Sequence, residues 1–406
     1  MAAMVVSRIS QSKLVSIAVR CALWGVSRGG GIPAQVALWA IDRARHQRAQ
    51  RQREFERASR RLSAQPATVD AELVIPGEFE QTPVRRRGIS RVLTSKPAML
   101  AAFSLVAAGA AAFYYARKIE PKKYKLETVR VITGDGNAWR GRDGNGKHSR
   151  GEERVERKMF RILHISDLHL AEPESHKIDF IRKITDDDFD LIVLTGDVFE
   201  NHTGLPYVEN LLSRQPRFGA YAVLGNHDYY DYKMFHKTVG RMIKTYRQPK
   251  EKRDVEPFVQ ALQNGGFDVL RNESRSLKEH GLHIIGIDYP GIKENELVRL
   301  ADQAPEHHLK LAIFHLPRNL HHISKAGIQL ALGGHTHGGQ VRIPGYGPLF
   351  TDSELGRHEA SGLIRKGDTA FHISRGLGAD PRSNIRFFCP PAATIIEVHH
   401  QMPRSV

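Results

Sequence analysis

The feature that most constrains this 406-residue chain is a recurrence of strand-length apolar runs, each ending in a polar motif. The plainest instance is Ile328-Gln329-Leu330-Ala331-Leu332, followed by Gly333-Gly334-His335-Thr336-His337-Gly338-Gly339. The run is short, mostly apolar and bounded by glycine, which predicts a buried strand. The glycines open backbone conformations closed to other residues, so both imidazoles are delivered to the end of a sheet. Four other strand ends carry comparable groups. The run ending at Ile165 leads into Ser166-Asp167-Leu168-His169, and the run 191–194 leads into Gly196-Asp197. The run 220–224 leads into Gly225-Asn226-His227-Asp228, and the run 309–314 leads into His315.

Between these runs lie helical stretches, near 178–184, 207–212 and 255–263. Strands and helices therefore alternate from residue 159 onward, with further strands near 267–270, 282–287, 369–373 and 394–398. This alternation predicts an α/β domain with helices on both sides of its sheet. Sheets of this kind place ligand sites outside the carboxyl ends of their strands, where all five motifs fall.

A single histidine pair is a weak metal signal, and Asp167 or Asn226 alone would read as a cap or turn residue. Five motifs at five strand ends outweigh those readings. Imidazole and carboxylate together suit Mn, Fe, Zn or Co better than Mg or Ca, so the set points to two divalent transition-metal ions. Two such ions about 3.5–4 Å apart suit hydrolysis of a phosphate ester, since they can generate hydroxide and neutralise entering and leaving oxygens. His164, His202, His236, His280, His307, His308, His321, His322 and His358 lack ligand spacing and read as surface or satisfied histidines. Of these, His321-His322 is the readiest false lead.

Charge divides the chain. Its formal net charge is +16, and residues 1–118 hold 19 of the 60 basic but 7 of the 44 acidic side chains. The part with the histidines is near balance, which disfavours a nucleic-acid partner and favours a membrane-proximal N-terminal third. The two cysteines, Cys21 and Cys389, form no disulfide framework.

The N-terminal third has its own punctuation. Residues 1–41 lack Asp and Glu, and read as a targeting segment or as sequence upstream of the translation start. Residues 34–63 read as a basic helix, on a lipid surface or solvated, and 64–84 as a linker. Thus 1–84 form a basic extension. Within 85–118, an apolar run from Pro97 to Ala116 follows Arg85-Arg86-Arg87-Gly88-Ile89-Ser90-Arg91. The run is long enough, at ~1.5 Å rise per residue, to cross a hydrocarbon core of ~30 Å. It reads as a single-pass anchor or as a twin-arginine-type export signal, with the side of the membrane left open. Residues 119–158 read as a flexible connection. A basic amphipathic stretch over 229–253 reads either as a lid that meets a lipid headgroup or an anionic substrate, or as a solvated helix.

Asp167-x-His169, Gly196-Asp197, Gly225-Asn226-His227-Asp228, His315 and Gly334-His335-x-His337 resemble the calcineurin-like metallophosphoesterase superfamily over about residues 159–400. The resemblance implies a four-layer α/β/β/α sandwich of two mixed sheets. It implies that Asp167, His169 and His337 hold one metal, that Asn226, His315 and His335 hold the other, and that Asp197 bridges them. It further implies in-line attack of a metal-bridging hydroxide, with His227 near the leaving oxygen as general acid or cation and Asp228 orienting the His227 ring. Gly334-His335-Thr336-His337-Gly338-Gly339-Gln340-Val341-Arg342-x-Pro344, Ser374-Arg375-Gly376-Leu377-Gly378 and Arg386-Phe387-x-Cys389-Pro390-Pro391 look like a narrower group. That group is the membrane-associated bacterial phosphodiesterases that include a UDP-2,3-diacylglucosamine pyrophosphatase. The expected substrate is then a phosphodiester or pyrophosphate, lipid-linked or a nucleotide sugar. The alternatives are a general envelope phosphomonoesterase or phosphodiesterase, or a membrane-held binding module without turnover.

Overall fold

The computed structural model describes residues 96–133, 156–171, 175–233, 248–351, 353–380 and 383–402. The extension 1–84, the arginine cluster before the apolar run and the middle of the basic stretch 229–253 lie outside the described residues.

The apolar run folds as helix α1 (Lys96–Tyr114), which passes through two short turns into strand β1 (Lys125–Thr133). Strand β2 (Glu156–Ile165), helix α2 (Ser175–Thr185) and strand β3 (Leu191–Thr195) follow. Then come the one-turn helix α3 (Leu205–Val208), strand β4 (Ala220–Val223) and the one-turn helix α4 (Asn226–Tyr229). Helix α5 (Glu256–Asn264) leads to β5 (Phe267–Val269), β6 (Glu273–Leu277) and β7 (Leu282–Ile287). Helix α6 (Glu294–Ala301), β8 (Leu309–Phe314), helix α7 (Leu320–Lys325) and β9 (Leu330–Gly333) complete the alternating part. A small hairpin, β10 (Arg342–Ile343) with β11 (Gly347–Pro348), precedes β12 (Gly362–Lys366), β13 (Thr369–Ile373) and β14 (Ala392–Met402).

The strands form two six-stranded mixed sheets, ordered β1-β14-β2-β3-β4-β5 and β12-β13-β9-β8-β7-β6. β2 to β5 run parallel, as do β7, β8, β9 and β13, so the carboxyl ends of β2, β3, β4, β8 and β9 gather at one end of the molecule. β3 reads Leu-Ile-Val-Leu-Thr and is buried throughout, as expected of a strand covered on both faces.

Three apolar clusters define four layers. Ile162, Val193 and Val223 of the first sheet meet Ile284, Leu311 and Leu332 of the second, face to face. Ile181, Phe258 and Leu262 on α2 and α5 cover the outer face of the first sheet. Leu297, Leu300, Leu320 and Ile323 on α6 and α7 cover the outer face of the second. Each sheet thus has helices on one face only, because the other face is taken by its partner sheet. This corrects the expectation of two-sided helical cover read from alternation alone.

Two further expectations change. The stretch 119–158 is not wholly a connection: all nine residues of β1 pair in parallel with Ala392 to His400 of β14. Val131 is buried in the seam between the sheets, so the domain takes in chain well before residue 159. For the anchor, no helix among the described residues is long and apolar enough to cross a membrane. α1 has 19 residues, opens at Lys96 and is rich in alanine.

Candidate metal centre

Each candidate ligand sits one to four residues beyond a strand, where the backbone turns sharply. Asp167, His169, Asp197, His335 and His337 all have positive φ, between 48 and 73°. Left-handed backbone is uncommon outside glycine and gathers at functional sites that the surrounding structure over-determines. Here the constraint is backbone pairing carried past the strand ends. The Asp167 N–H donates to the Gly196 carbonyl (3.0 Å), the His169 N–H to that of Asp197 (2.9 Å), and the Gly334 N–H to that of His315 (3.1 Å). Gly334 is required for a second reason: a Cβ there would overlap Ser166 Oγ and the Asp167 carboxylate.

The side chains converge in two groups that share Asp197. In the first, His169 Nε2 lies 3.2 Å from His337 Nε2, and His337 Nε2 lies 3.5 Å from Asp167 Oδ1. In the second, His315 Nε2 lies 3.1 Å from Asn226 Oδ1 and 3.2 Å from His335 Nδ1. Asp197 Oδ2 stands between them, 3.8 Å from His169 Nε2 and 3.2 Å from His315 Nε2. All seven residues named from sequence as ligands are brought together, and six of them are buried, with His335 half-buried. Ring nitrogens set 3.2 Å apart, with buried carboxylates beside them, suit a divalent cation in each group. The donor set of imidazole, carboxylate and one amide oxygen fits transition metals.

The electrostatics of the cluster are those of a set of strongly interacting buried groups. Burial pushes the Asp167 carboxyl up, against the pull of His315. Burial acts likewise on Asp197, but His315, His227 and His169 outweigh it and hold Asp197 well below the usual carboxylate range. Burial opposes charge on His315, yet Asp197 beside it raises the imidazole to about 9. Burial, then His169 and Arg386, push His337 well down.

His227 opens onto the same cluster. Its N–H donates to Asp197 Oδ1 (2.7 Å), and its ring Nδ1 lies 2.9 Å from Glu200 Oε2. Glu200 also meets His169 Nδ1 at 3.3 Å. The expected partner of the His227 ring, Asp228, is placed otherwise: its oxygens accept from the N–H groups of Phe199 (2.9 Å) and Gly225 (2.8 Å). Asp228 is therefore a brace for two site loops, and Glu200 takes the orienting position. Burial, then the charge of Asp197, raise the Asp228 carboxyl to about 7.

Sequence reasoning missed Glu200, although it falls three residues past Asp197 in the same loop. It also passed over the work of Arg386. The fully buried Arg386 guanidinium donates to the carbonyls of Arg375 (2.7 Å), Gly376 (3.2 Å) and Cys389 (3.1 Å) and also bonds that of Gly378, and its Nη2 lies 3.4 Å from His337 Nδ1. Tyr232 packs over the His227 ring at 4.8 Å, and its hydroxyl bonds Tyr289 and Asn226. His321 and His322 follow His315 closely in sequence but sit on α7, between β8 and β9. His322 Nε2 meets Glu294 Oε2 at 3.1 Å on the outer helical layer, so that pair stays outside the centre.

Residues 160–339 match the family model described as calcineurin-like phosphoesterase. The chain is 28% identical over 310 residues to the uncharacterized metallophosphoesterase YkuE of Bacillus subtilis, covering 73% of this chain and 92% of that one. It is 25% identical over 279 residues to the UDP-2,3-diacylglucosamine pyrophosphatase LpxG of Chlamydia muridarum, covering 58% and 83%. It is 28% identical over 254 residues to the phosphodiesterase YaeI of Escherichia coli K12, covering 59% and 82%. Residues 160–339 are therefore a calcineurin-like metallophosphoesterase domain, and the chain that carries it is a phosphoric ester hydrolase.

Proposed function

We propose that the chain hydrolyses a phosphodiester or pyrophosphate at a dinuclear centre held by Asp167, His169 and His337 on one side and Asn226, His315 and His335 on the other, with Asp197 common to both. The observation that supports this best is the position of Asp197 Oδ2 between His169 Nε2 and His315 Nε2. When bound, the two cations supply charge neutralisation at the phosphoryl oxygens and acidify a water. The remaining work belongs to the chain. Glu200 accepts from His227 Nδ1–H, which leaves Nε2 as the nitrogen that hands a proton to the leaving oxygen. Its carboxyl stays ionised, since its bonds to His169 and His227 outweigh the effect of burial. Tyr232 closes one side of the ring and limits water there.

The substrate in this reading is lipid-linked or a nucleotide-sugar pyrophosphate, and the chain works at a membrane through residues 85–118. Two things support it: LpxG is named for such a substrate, and α1 carries exposed Leu100, Phe103, Leu105, Val106 and Phe113 ahead of the basic pair Arg117-Lys118. The second reading, an envelope phosphoesterase without lipid preference, is supported by the likeness to the phosphodiesterase YaeI.

The deciding experiment stripps the full chain of metal with a chelator, adds Mn²⁺ and compares three substrates. These are a chromogenic phosphodiester, a chromogenic phosphomonoester and UDP-2,3-diacylglucosamine. Preference for the last is the expected result, and turnover of the simple esters alone would overturn the lipid reading. His227→Ala is expected to lower kcat by about 10²–10⁴-fold with metal content retained, as for loss of a general acid. Unchanged turnover with every substrate would remove His227 from the mechanism.

A further inference from the structure

Exposed apolar side chains are unevenly spread over the described residues. Among the described residues, most of the large exposed apolar side chains lie either on α1 or on a rim built from Ile343, Tyr346, Leu349, Phe350 and Phe388, with Ile119 between them. Leu126, Ile132, Met159 and Leu363 are the exceptions. Scattered exposed apolar side chains need no explanation, but a contiguous set marks an interaction surface.

The rim is one surface because hydrogen bonds join its parts. The Arg342 N–H donates to the Phe387 carbonyl (2.9 Å), and the Phe387 N–H donates to that of Gln340 (2.8 Å), which ties the β10–β11 hairpin to the Phe387–Phe388 turn. The root of α1 is fastened to the same turn. The Arg386 N–H donates to the Ala116 carbonyl (2.9 Å), and the Tyr115 ring meets the Phe387 ring edge to face at 6.4 Å. The buried Glu120 carboxylate accepts from the N–H groups of Phe388 and Cys389.

Phe388 itself has φ 52° and is 56% exposed. A bulky residue in left-handed backbone is strained, and packing edge to face on the Phe387 ring at 4.6 Å still leaves more than half of Phe388 in water. Both costs make sense if the ring is meant for something outside the protein. Phe350, 63% exposed, joins the rim through its backbone, since its carbonyl and Pro348 lie against Gly339. Gly339 is two residues from His337, and Arg386 touches the His337 ring, so the rim borders the metal centre.

We propose that the β10–β11 hairpin and the Phe387–Phe388 turn form a lipid-docking rim that seats the catalytic domain on an anionic bilayer beside its metal centre. It rests on the hydrolase reading above and adds where the phosphate would be met, at headgroup depth. The bilayer is favoured over a protein partner by continuity and by charge. α1 leaves the domain from this rim with its apolar side chains exposed along its length. Its root carries the exposed Arg117, Lys118, Lys122 and Lys123, and the exposed Arg357 guanidinium lies 4.2 Å over the Tyr346 ring. Apolar side chains rimmed by cations suit acyl chains under anionic headgroups.

The test uses the full chain with Cys21→Ser, which leaves only the buried Cys389. A bimane label is attached at Tyr346→Cys or, as control, at the exposed Glu279→Cys, which follows β6 at the opposite end of the second sheet. Vesicles of phosphatidylcholine and phosphatidylglycerol carry a nitroxide-labelled lipid as quencher. Quenching at 346 with none at 279 is the expected result. Equal emission at both positions with and without nitroxide lipid overturns the proposal, as does a change at 346 that tracks protein concentration without vesicles, which would assign the rim to a second copy. In addition, the double variant Phe350→Ser/Phe388→Ser is expected to lose about tenfold in turnover of a vesicle-embedded phosphate ester, equivalent to ~1.4 kcal/mol of attachment. Its turnover of a soluble chromogenic phosphodiester should be unchanged, and equal loss on both substrates counts against the rim. Quenching does not depend on turnover, so a dead enzyme that still docks would refute the hydrolase reading and leave the rim standing.

Discussion

Glu200 reaches two rings at once, the imidazole of the proposed ligand His169 and that of the proposed general acid His227. It fixes which nitrogen of each carries the proton, and so which nitrogen is left for the cation or the leaving oxygen. Glu200→Gln keeps the size but turns the carboxylate into a weaker, two-faced partner. We expect kcat to fall about 10–100-fold, the usual cost of losing an outer partner of a ligating histidine, with metal content measured alongside. A larger effect on metal content than on kcat would place its main role at His169. The candidate ligands could be named from sequence because each follows an apolar run within one to four residues. Glu200 was not, because its partners are 27 and 31 positions away and no spacing rule links them. Asp228 misled for the reverse reason. Its adjacency to His227 suggested a side-chain pair, whereas its oxygens cap backbone N–H groups, a use that leaves no mark in sequence. The reading of Gly334 can be tested directly. A methyl group at this position would collide with Ser166 Oγ and the Asp167 carboxylate, so Gly334→Ala should abolish metal binding at the Asp167 group, measured by metal content after dialysis.

At the scale of elements, the strands of the parallel cores were readable because they are buried on both faces and therefore continuously apolar. Edge strands were not. β6 alternates weakly, with polar Glu273, Ser274, Arg275 and Ser276, and β12 is half-exposed throughout. β1 was hidden by the glycine-rich, charged sequence that follows it, although it pairs along its whole length with β14. That pairing makes a prediction about boundaries. A chain beginning at residue 134 removes β1, uncovers the long edge of β14 and loses the buried Val131. Relative to a chain beginning at residue 119, it should lose at least about 2 kcal/mol, the worth of one fully buried valine, even before the lost ladder is counted. Urea unfolding of the two forms measures the difference. Equal midpoints would mean that the sheet ends at β14 for the purposes of stability.

For the whole molecule, the seam between the two sheets carries an unusual polar contact. His164 on β2 meets His372 on β13 across the seam, Nδ1 to Nδ1 at 2.9 Å, and the other ring nitrogen of His164 lies 2.8 Å from Thr195 Oγ1. Both rings are buried in an otherwise apolar layer. Sequence could say that His164 lacks ligand spacing, but not that its partner stands 208 residues on, since only the stacking of the sheets brings them together. Burial, and then the neighbouring ring, hold His164 well below the usual imidazole range. Burial, and then Arg375, lower His372 to about 4. The sign of the linkage follows. The unfolded chain takes up protons at these rings near pH 6.5, while in the folded chain His372 does not until about pH 4 and His164 is held well below its usual range, so acid favours unfolding across that window. The contribution of these two rings should be full above pH 6.5 and fall progressively to pH 4, with His372 alone accounting for roughly 3 kcal/mol at 1.36 kcal/mol per unit. His372→Gln keeps a neutral hydrogen-bonding group without a proton to gain. It should lose less stability than the parent chain between pH 7 and pH 4.5 in urea unfolding followed by circular dichroism. Parallel curves for the two would show that the seam pair is charged in the folded protein, and that the two sheets are joined there by something other than a pair of neutral rings.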